Sequence, residues 1–340
     1  MGLFGRGKRQ TRIASVAQTL ATGELWHDPA LNAGASAVEQ GYLQAGLALL
    51  RESRYDYEQR SYRLGALSDS ALGRSGEIYD LFTDGMPAEE ASDVLLWVGA
   101  TLVREAWEIR GGGFADTVGE GRYKLFFASL GAAEEPLLEA ARRRPDDPVP
   151  WSEMLAYAMG MQLDRQQEDA VWDSVARRCR SLYRANWLRL QALCLKWGGS
   201  HEEMFAFARQ TVDALPPGHP ASAMLPMAHY EYLSAVFIEM VLEQGKTFAF
   251  ATLETDYWEA GLVAELKSAA AKWCAADPRP HPDDLEGHHL FGWSMYRADV
   301  PDAARWHLAQ VGNLVVGTPW DCMGDEREEL AEALVDLRMS

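Results

Sequence analysis

Residues 145–151 read Pro-Asp-Asp-Pro-Val-Pro-Trp, and this stretch constrains the fold more than any other. Pro145 has no backbone N–H to donate and its ring clashes with a preceding helical turn, so a helix reaching it must stop. Asp146 and Asp147 suit the N-terminus of a new helix, and the fixed φ of Pro150 suits its first turn. Upstream, Ala133, Leu137, Leu138 and Ala141 recur at three- and four-residue spacing; downstream, Trp151, Met154, Leu155 and Ala158 do the same. Each set is the apolar stripe of an amphipathic helix. The spacing predicts a helix, a short turn and a second helix. Period-two alternation is scarce, with residues 313–316 the only β-like tetrapeptide. The expected fold class is all-α.

Size permits two ordinary domains or one elongated array, since 340 residues at 48% hydrophobic content can bury a continuous core. The longest apolar run, 94–103, is half the length needed to span a bilayer, so no membrane span is expected. No apolar leader segment follows the first residues, which speaks against a secretory signal. The four cysteines, Cys179, Cys194, Cys274 and Cys322, stand far apart without a CxxC pair. That pattern argues against a zinc site or a disulfide framework and for a reducing cytoplasm.

Charge is the strongest global feature. Fifty acids against 32 bases give −18. Residues 1–12 hold Arg6, Lys8, Arg9 and Arg12 and no acid, so the remainder sets 28 bases against all 50 acids, or −22. Such a body repels nucleic-acid phosphates and anionic lipid, so neither is an expected partner. It suits a basic protein or peptide, and it also favours solubility. Residues 1–12 are expected to form a flexible basic tail. Gly2 does not begin a myristoylation site, because Arg6 stands where Ser or Thr is required.

The hairpin at 145–151 resembles the tetratricopeptide repeat. In that repeat an Ala, then Ala or an aromatic, then a closing Pro are followed six residues later by a Trp opening the next unit. Ala133, Leu137, Ala140, Pro145 and Trp151 fall at those offsets, with Leu in the aromatic slot. A second match runs Trp187, Leu190, Cys194, a turn at 198–200, then Met204, Ala208 and Pro216, with one residue inserted. A third runs Phe291, Gly292, Tyr296, a turn at 299–302, then Ala303, Ala304 and Leu308, its closing Pro319 coming late. The resemblance covers residues 133–320 without keeping the 34-residue period. It implies a degenerate, right-handed array of antiparallel helical hairpins, with 217–286 inserted or strongly divergent. The expected organisation is a tail at 1–12, an N-terminal helical region at 13–130 and the array at 131–340.

Residues 196–204, Lys-Trp-Gly-Gly-Ser-His-Glu-Glu-Met, resemble a segment of uncharacterised helical-repeat proteins of high-GC bacteria, a domain-of-unknown-function family. Only 6 of the 32 basic residues are Lys, which agrees with a high-GC genome. That resemblance implies the fold and supplies no activity. Physically, two glycines end one helix, Ser200 caps the next, and Glu203 stands at the capping-box position.

In the first third, tracts 38–50 and 94–109 have helical apolar spacing, the latter through Val94, Val98, Leu102 and Ala106. Gly111, Gly112 and Gly113, followed by Gly119 and Gly121, read as a loop and internal hinge.

The motifs of catalysis fail in turn. Gly245-Lys246-Thr247 matches the end of a phosphate-binding loop, but the first glycine of that motif would fall on Met240, within a helical stretch. The densest set of potential metal ligands lies at 281–289. There Asp284 and His288, four apart on a helix, would be the pair to share a metal. The simpler account is a helix opened by Pro282, with acids complementing its dipole, and no metal is expected. His201-Glu202 lacks the second His of a zinc-protease helix, and no nucleophile elbow is present. No cofactor is expected.

The remaining constellation is aromatic and basic. Trp151, Tyr157, Trp187, Trp197, His229 and Tyr230, with Trp172, Tyr183 and Tyr232, would line the concave face of a curved array, although inter-helix core is the competing role of each. Arg177, Arg180 and Arg184, near Arg178 and Arg189, form a local basic stripe suited to a carboxylate. These readings favour a non-catalytic binder of protein or peptide. The alternatives are an acidic protein neutralising a basic toxin and a metal-dependent enzyme at 281–289.

Overall fold

A computed structural model describes residues 3–23, 28–111, 120–276 and 280–339, and among them the chain is all-helical. The tetrapeptide 313–316 contributes a single parallel bridge between Leu314 and Ala21, closed by two backbone hydrogen bonds of 2.9 Å. Contacts divide the chain into two compact units, His27–Ala192 and the discontinuous pair Met1–Trp26 with Leu193–Ser340. This division differs from a boundary at 130/131, because the two ends of the chain belong to one unit. Residues 112–119, the heart of the expected hinge, lie outside the described residues.

Helix α1 (Leu3–Ala17) belongs to the discontinuous unit. The unit at 27–192 holds α2 (Pro29–Glu39), α3 (Leu43–Glu52), α4 (Tyr57–Ser70), α5 (Ser75–Tyr79), α6 (Ala88–Arg110), α7 (Glu120–Gly131), α8 (Glu134–Arg143), α9 (Val149–Gly160), α10 (Arg165–Cys179) and α11 (Tyr183–Ala192). Its centre is α6, which is buried on every side from Ala91 to Thr101 and packs against α3, α4, α5, α7, α8 and α9. A helix apolar all round belongs in a core, and the run 94–103 sits there. The tract 38–50 is two helices rather than one. Gly41 breaks it with φ +91°, a left-handed conformation that costs an L side chain and not glycine.

The junction at 145–151 forms the expected hairpin between α8 and α9, and its Asp147 does more than cap. One oxygen accepts the Val149 N–H at 3.0 Å; the other accepts from Arg60 and Arg144, each at 2.9 Å. Arg60 also reaches Asp93 at 2.8 Å, and Asp93 accepts from Arg54 Nε at 2.6 Å. Arg144 donates to the Arg54 carbonyl at 2.8 Å. Arg60, Asp93 and Asp147 are fully buried, so α4, α6 and the α8–α9 turn are tied by alternating charges inside the unit. Such a chain persists only because each ion faces an opposite one.

The discontinuous unit continues with α12 (His201–Ala214), α13 (Met224–Phe237), a π-helical extension at Ile238–Glu243, α14 (Thr247–Tyr257), α15 (Ala260–Cys274), α16 (Asp284–Arg297), α17 (Pro301–Gln310) and α18 (Glu326–Asp336). At its centre α13 contacts α12, α14, α15 and α16. The segment 217–286, which breaks the repeat spacing, therefore supplies the middle of this unit. Helix α1 packs on α18, where Arg9 reaches Glu332 at 2.5 Å and Asp336 at 2.8 Å. The stretch expected to be a flexible tail is thus helical from Leu3, and acids near the other end of the chain hold it. Helices α16 and α17 form the hairpin of the third match, and α8 and α9 that of the first; the second match straddles the boundary at 192/193. Ahead of α12, a Cβ on Gly199 would overlap the Leu193 carbonyl. Ser200 accepts the Glu203 N–H at 3.1 Å, so it caps α12 as the sequence implies, and its hydroxyl donates to the Glu203 carboxylate at 3.0 Å.

Candidate functional site

The first turns of α13 are buried on all sides from Met224 to Glu231, as the apolar composition demands. The same composition continues through Ala235, Val236, Phe237, Ile238, Met240, Val241 and Leu242, yet none of these is buried. Leu242 is 62% exposed, and after the turn Phe248 on α14 is 86% exposed. Here the helix widens, with the Gln244 N–H reaching back five residues to the Glu239 carbonyl. Single π turns are frequent at functional sites, and exposed apolar side chains grouped together mark a contact surface.

Beside this strip lies a cavity of about 90 Å³. Cys194, Leu195 and Lys196 form one wall; His201 and Met204 of α12, then Glu231, Ser234 and Ala235 of α13 and Ile238 form the others. The segment 196–204 thus reaches the cavity through Lys196, His201 and Met204. Lys196 Nζ and Glu231 pair at 2.8 Å. The Cys194 thiol lies 3.4 Å from the Met204 sulfur, and burial, reinforced by Glu231, pushes its pKa far up, so it is a neutral wall group and not a nucleophile. Leu195, 56% exposed, carries the apolar surface out from the cavity. Glu231, Glu239 and Glu243 recur at four- and eight-residue intervals, the last two beside Ile238 and Leu242, setting acids along an apolar pair.

The expected site residues divide between the units. Trp197, His229 and Tyr230 belong to the discontinuous one; Trp151, Tyr157, Arg177, Arg180, Arg184 and Trp187 belong to the other. His229 is fully buried, 2.6 Å from the Tyr257 hydroxyl and packed by Phe205 and Trp258; burial lowers its pKa to about 3. Tyr230 is buried, donates to Asp321 at 2.9 Å and meets the Trp293 ring edge-on. Trp197 is half-buried. In the other unit, Tyr157 is buried and donates to Glu134 at 3.0 Å, burial and that carboxylate pushing its pKa up to about 12. Arg184 stacks on Trp187 at 4.7 Å, and Arg178 covers Trp151 at 5.3 Å. Arg177 is exposed and donates to Ser174 at 3.2 Å, while Arg180 is exposed and its carbonyl caps the Asn186 amide at 2.9 Å.

In the cluster 281–289, Asp284 accepts the His281 N–H at 2.8 Å, which fixes the start of α16. His288 Nδ1 faces His307 Nδ1 at 3.0 Å between Trp273 and Trp306, and His289 Nδ1 accepts from Trp320 at 3.0 Å. Among the described residues no set of three ligand atoms gathers about Asp284 or His288. Met240 lies within the π-helical extension, so Gly245-Lys246-Thr247 does not close a phosphate cradle. The strip and cavity were not picked out by sequence, where an apolar run reads as core; the regular acids within it were the available signal. Among the described residues no helix is long and apolar enough to cross a membrane. Set against known proteins, the chain matches no family, no curated protein and no solved structure.

Proposed function

We propose that this chain is a non-catalytic scaffold of tetratricopeptide-like hairpins that binds a protein or peptide in a reducing cytoplasm. The observation that carries the reading is the half-buried apolar stretch 235–241, which ends in the exposed Leu242 and is accompanied by the exposed Leu195 and Phe248. None of the four cysteines forms a disulfide, which fits the compartment. The acidic balance of the chain fits a basic partner.

The test compares capture from an extract of the source organism by the wild-type chain and by the double variant Leu242→Glu/Phe248→Glu. Both positions are exposed, so the variant should fold, as circular dichroism will verify. A protein enriched by the wild type and lost with the variant is the expected result. Equal recovery by both, or enrichment by neither, contradicts the proposal.

A further inference from the structure

We infer that the partner presents a basic amphipathic helix, which seats one medium-sized aliphatic side chain in the cavity beside α13 and lays its cations along the exposed Glu239 and Glu243. This rests on the scaffold reading and names the chemistry of what is bound. The cavity is large enough for more than a single water, for which about 15 Å³ suffices, and smaller than the roughly 150 Å³ of a site that admits benzene. A Leu, Ile or Met side chain lies in that range. Its walls at Leu195, Met204, Ala235 and Ile238 are apolar, so an aliphatic occupant gains contacts that water does not.

The surroundings select the rest of the partner. From the cavity, Ile238 and Leu242 lie one helical turn apart and carry an apolar row outward, the spacing into which a partner helix sets anchors at i, i+3 or i+4. The two exposed acids run alongside. A third carboxylate, Glu231, already holds Lys196 at 2.8 Å, an internal example of the pairing a partner cation would make. Arg209 of α12 is engaged with Glu265 at 2.6 Å. A second copy of the chain fits poorly, because it would bring an identical acidic row and a charge of −18 against this one.

The test is fluorescence anisotropy on the full chain with three designed peptides of about 18 residues, or five helical turns. One has a leucine face and a lysine face, one a leucine face and a glutamate face, and one an alanine face and a lysine face. The leucine–lysine peptide is expected to bind at least about tenfold more tightly than either other, a difference well beyond measurement error. Ala235→Trp, which fills the cavity, should remove about tenfold of that affinity, and Glu239→Lys/Glu243→Lys should do the same. Ala235→Leu fills the same space with less bulk and replaces the tryptophan variant if the latter loses its cooperative melt. Equal binding of the alanine–lysine peptide, or indifference to both cavity-filling variants, overturns the anchored-helix inference. If no peptide binds while capture still depends on Leu242 and Phe248, the partner chemistry is wrong and the scaffold stands. If both fail, the scaffold falls as well.

Discussion

Lys196 and Glu231 form an ion pair of 2.8 Å on the wall of the cavity, joining the segment before α12 to the middle of α13. The lysine is exposed and the carboxylate buried. The pair is too solvated on one side to contribute much stability, about 1 kcal/mol or less. Its weight lies in the exposed cation it sets on the cavity wall, which repels a basic partner. Lys196→Met should therefore shift the urea midpoint only slightly and strengthen binding of the leucine–lysine peptide several-fold. Weaker binding would show that the lysine itself contacts the partner.

Arg60 is the shared cation of Asp93 and Asp147, at 2.8 Å and 2.9 Å, and all three are fully buried. Arg60→Met matches its volume and leaves two buried carboxylates without their common partner. The expected loss is about 3–5 kcal/mol, read from urea unfolding. A loss below about 1 kcal/mol would show that Arg54 and Arg144 satisfy the carboxylates alone.

Four histidines of the discontinuous unit are held neutral by burial. His229 and His289 are lowered to about 3, and His288 and His307, which share one hydrogen bond, are also lowered. Each takes a proton more readily in the unfolded chain, at its ordinary pKa near 6.5, than in the fold. Their contribution is thus complete above that pH and falls as pH drops toward the folded values, by up to about 1.4 kcal/mol per histidine per pH unit. Urea midpoints should decline steeply from about pH 6.5 to 4, and His229→Asn should make that decline shallower. A midpoint that stays flat over this range contradicts the burial of these rings.

Gly199→Ala should destabilise the unit by about 1–3 kcal/mol, because the new Cβ meets the Leu193 carbonyl, which is backbone and cannot swing aside. Ser200→Ala removes the cap of α12 and should cost about 1 kcal/mol. Thermal melts of the two variants check both. An unperturbed Gly199→Ala protein would show that the 198–200 turn is looser than described.

These local features were legible because each rests on chemistry within a few residues. Pro145 stops a helix and Ser200 caps one; the break at Gly41 was not read, because the apolar spacing of 38–50 alone suggests continuity. Long-range pairing was not legible. Nothing near Arg9 announces Asp336, and nothing near Arg60 announces Asp147, since a charge read in isolation defaults to a solvated face. Aromatics were ambiguous for a related reason: Tyr157, His229 and Tyr230 have the composition of a groove and turn out to be buried. The strip at 235–242 shows the converse, for hydropathy does not distinguish an apolar run that is fully covered from one that is half-buried and ends in an exposed leucine.

The most direct measurement of the central claim is site-specific photo-crosslinking in cells of the source organism, with a photoreactive residue at Leu242 and, as a control, at Tyr79. Both side chains are exposed, and Tyr79 lies in the unit at 27–192, away in sequence from the strip. A discrete protein adduct is expected at position 242, absent at position 79 and abolished when Phe248→Glu is added. Equal adducts at both positions, or none at 242, would contradict the claim.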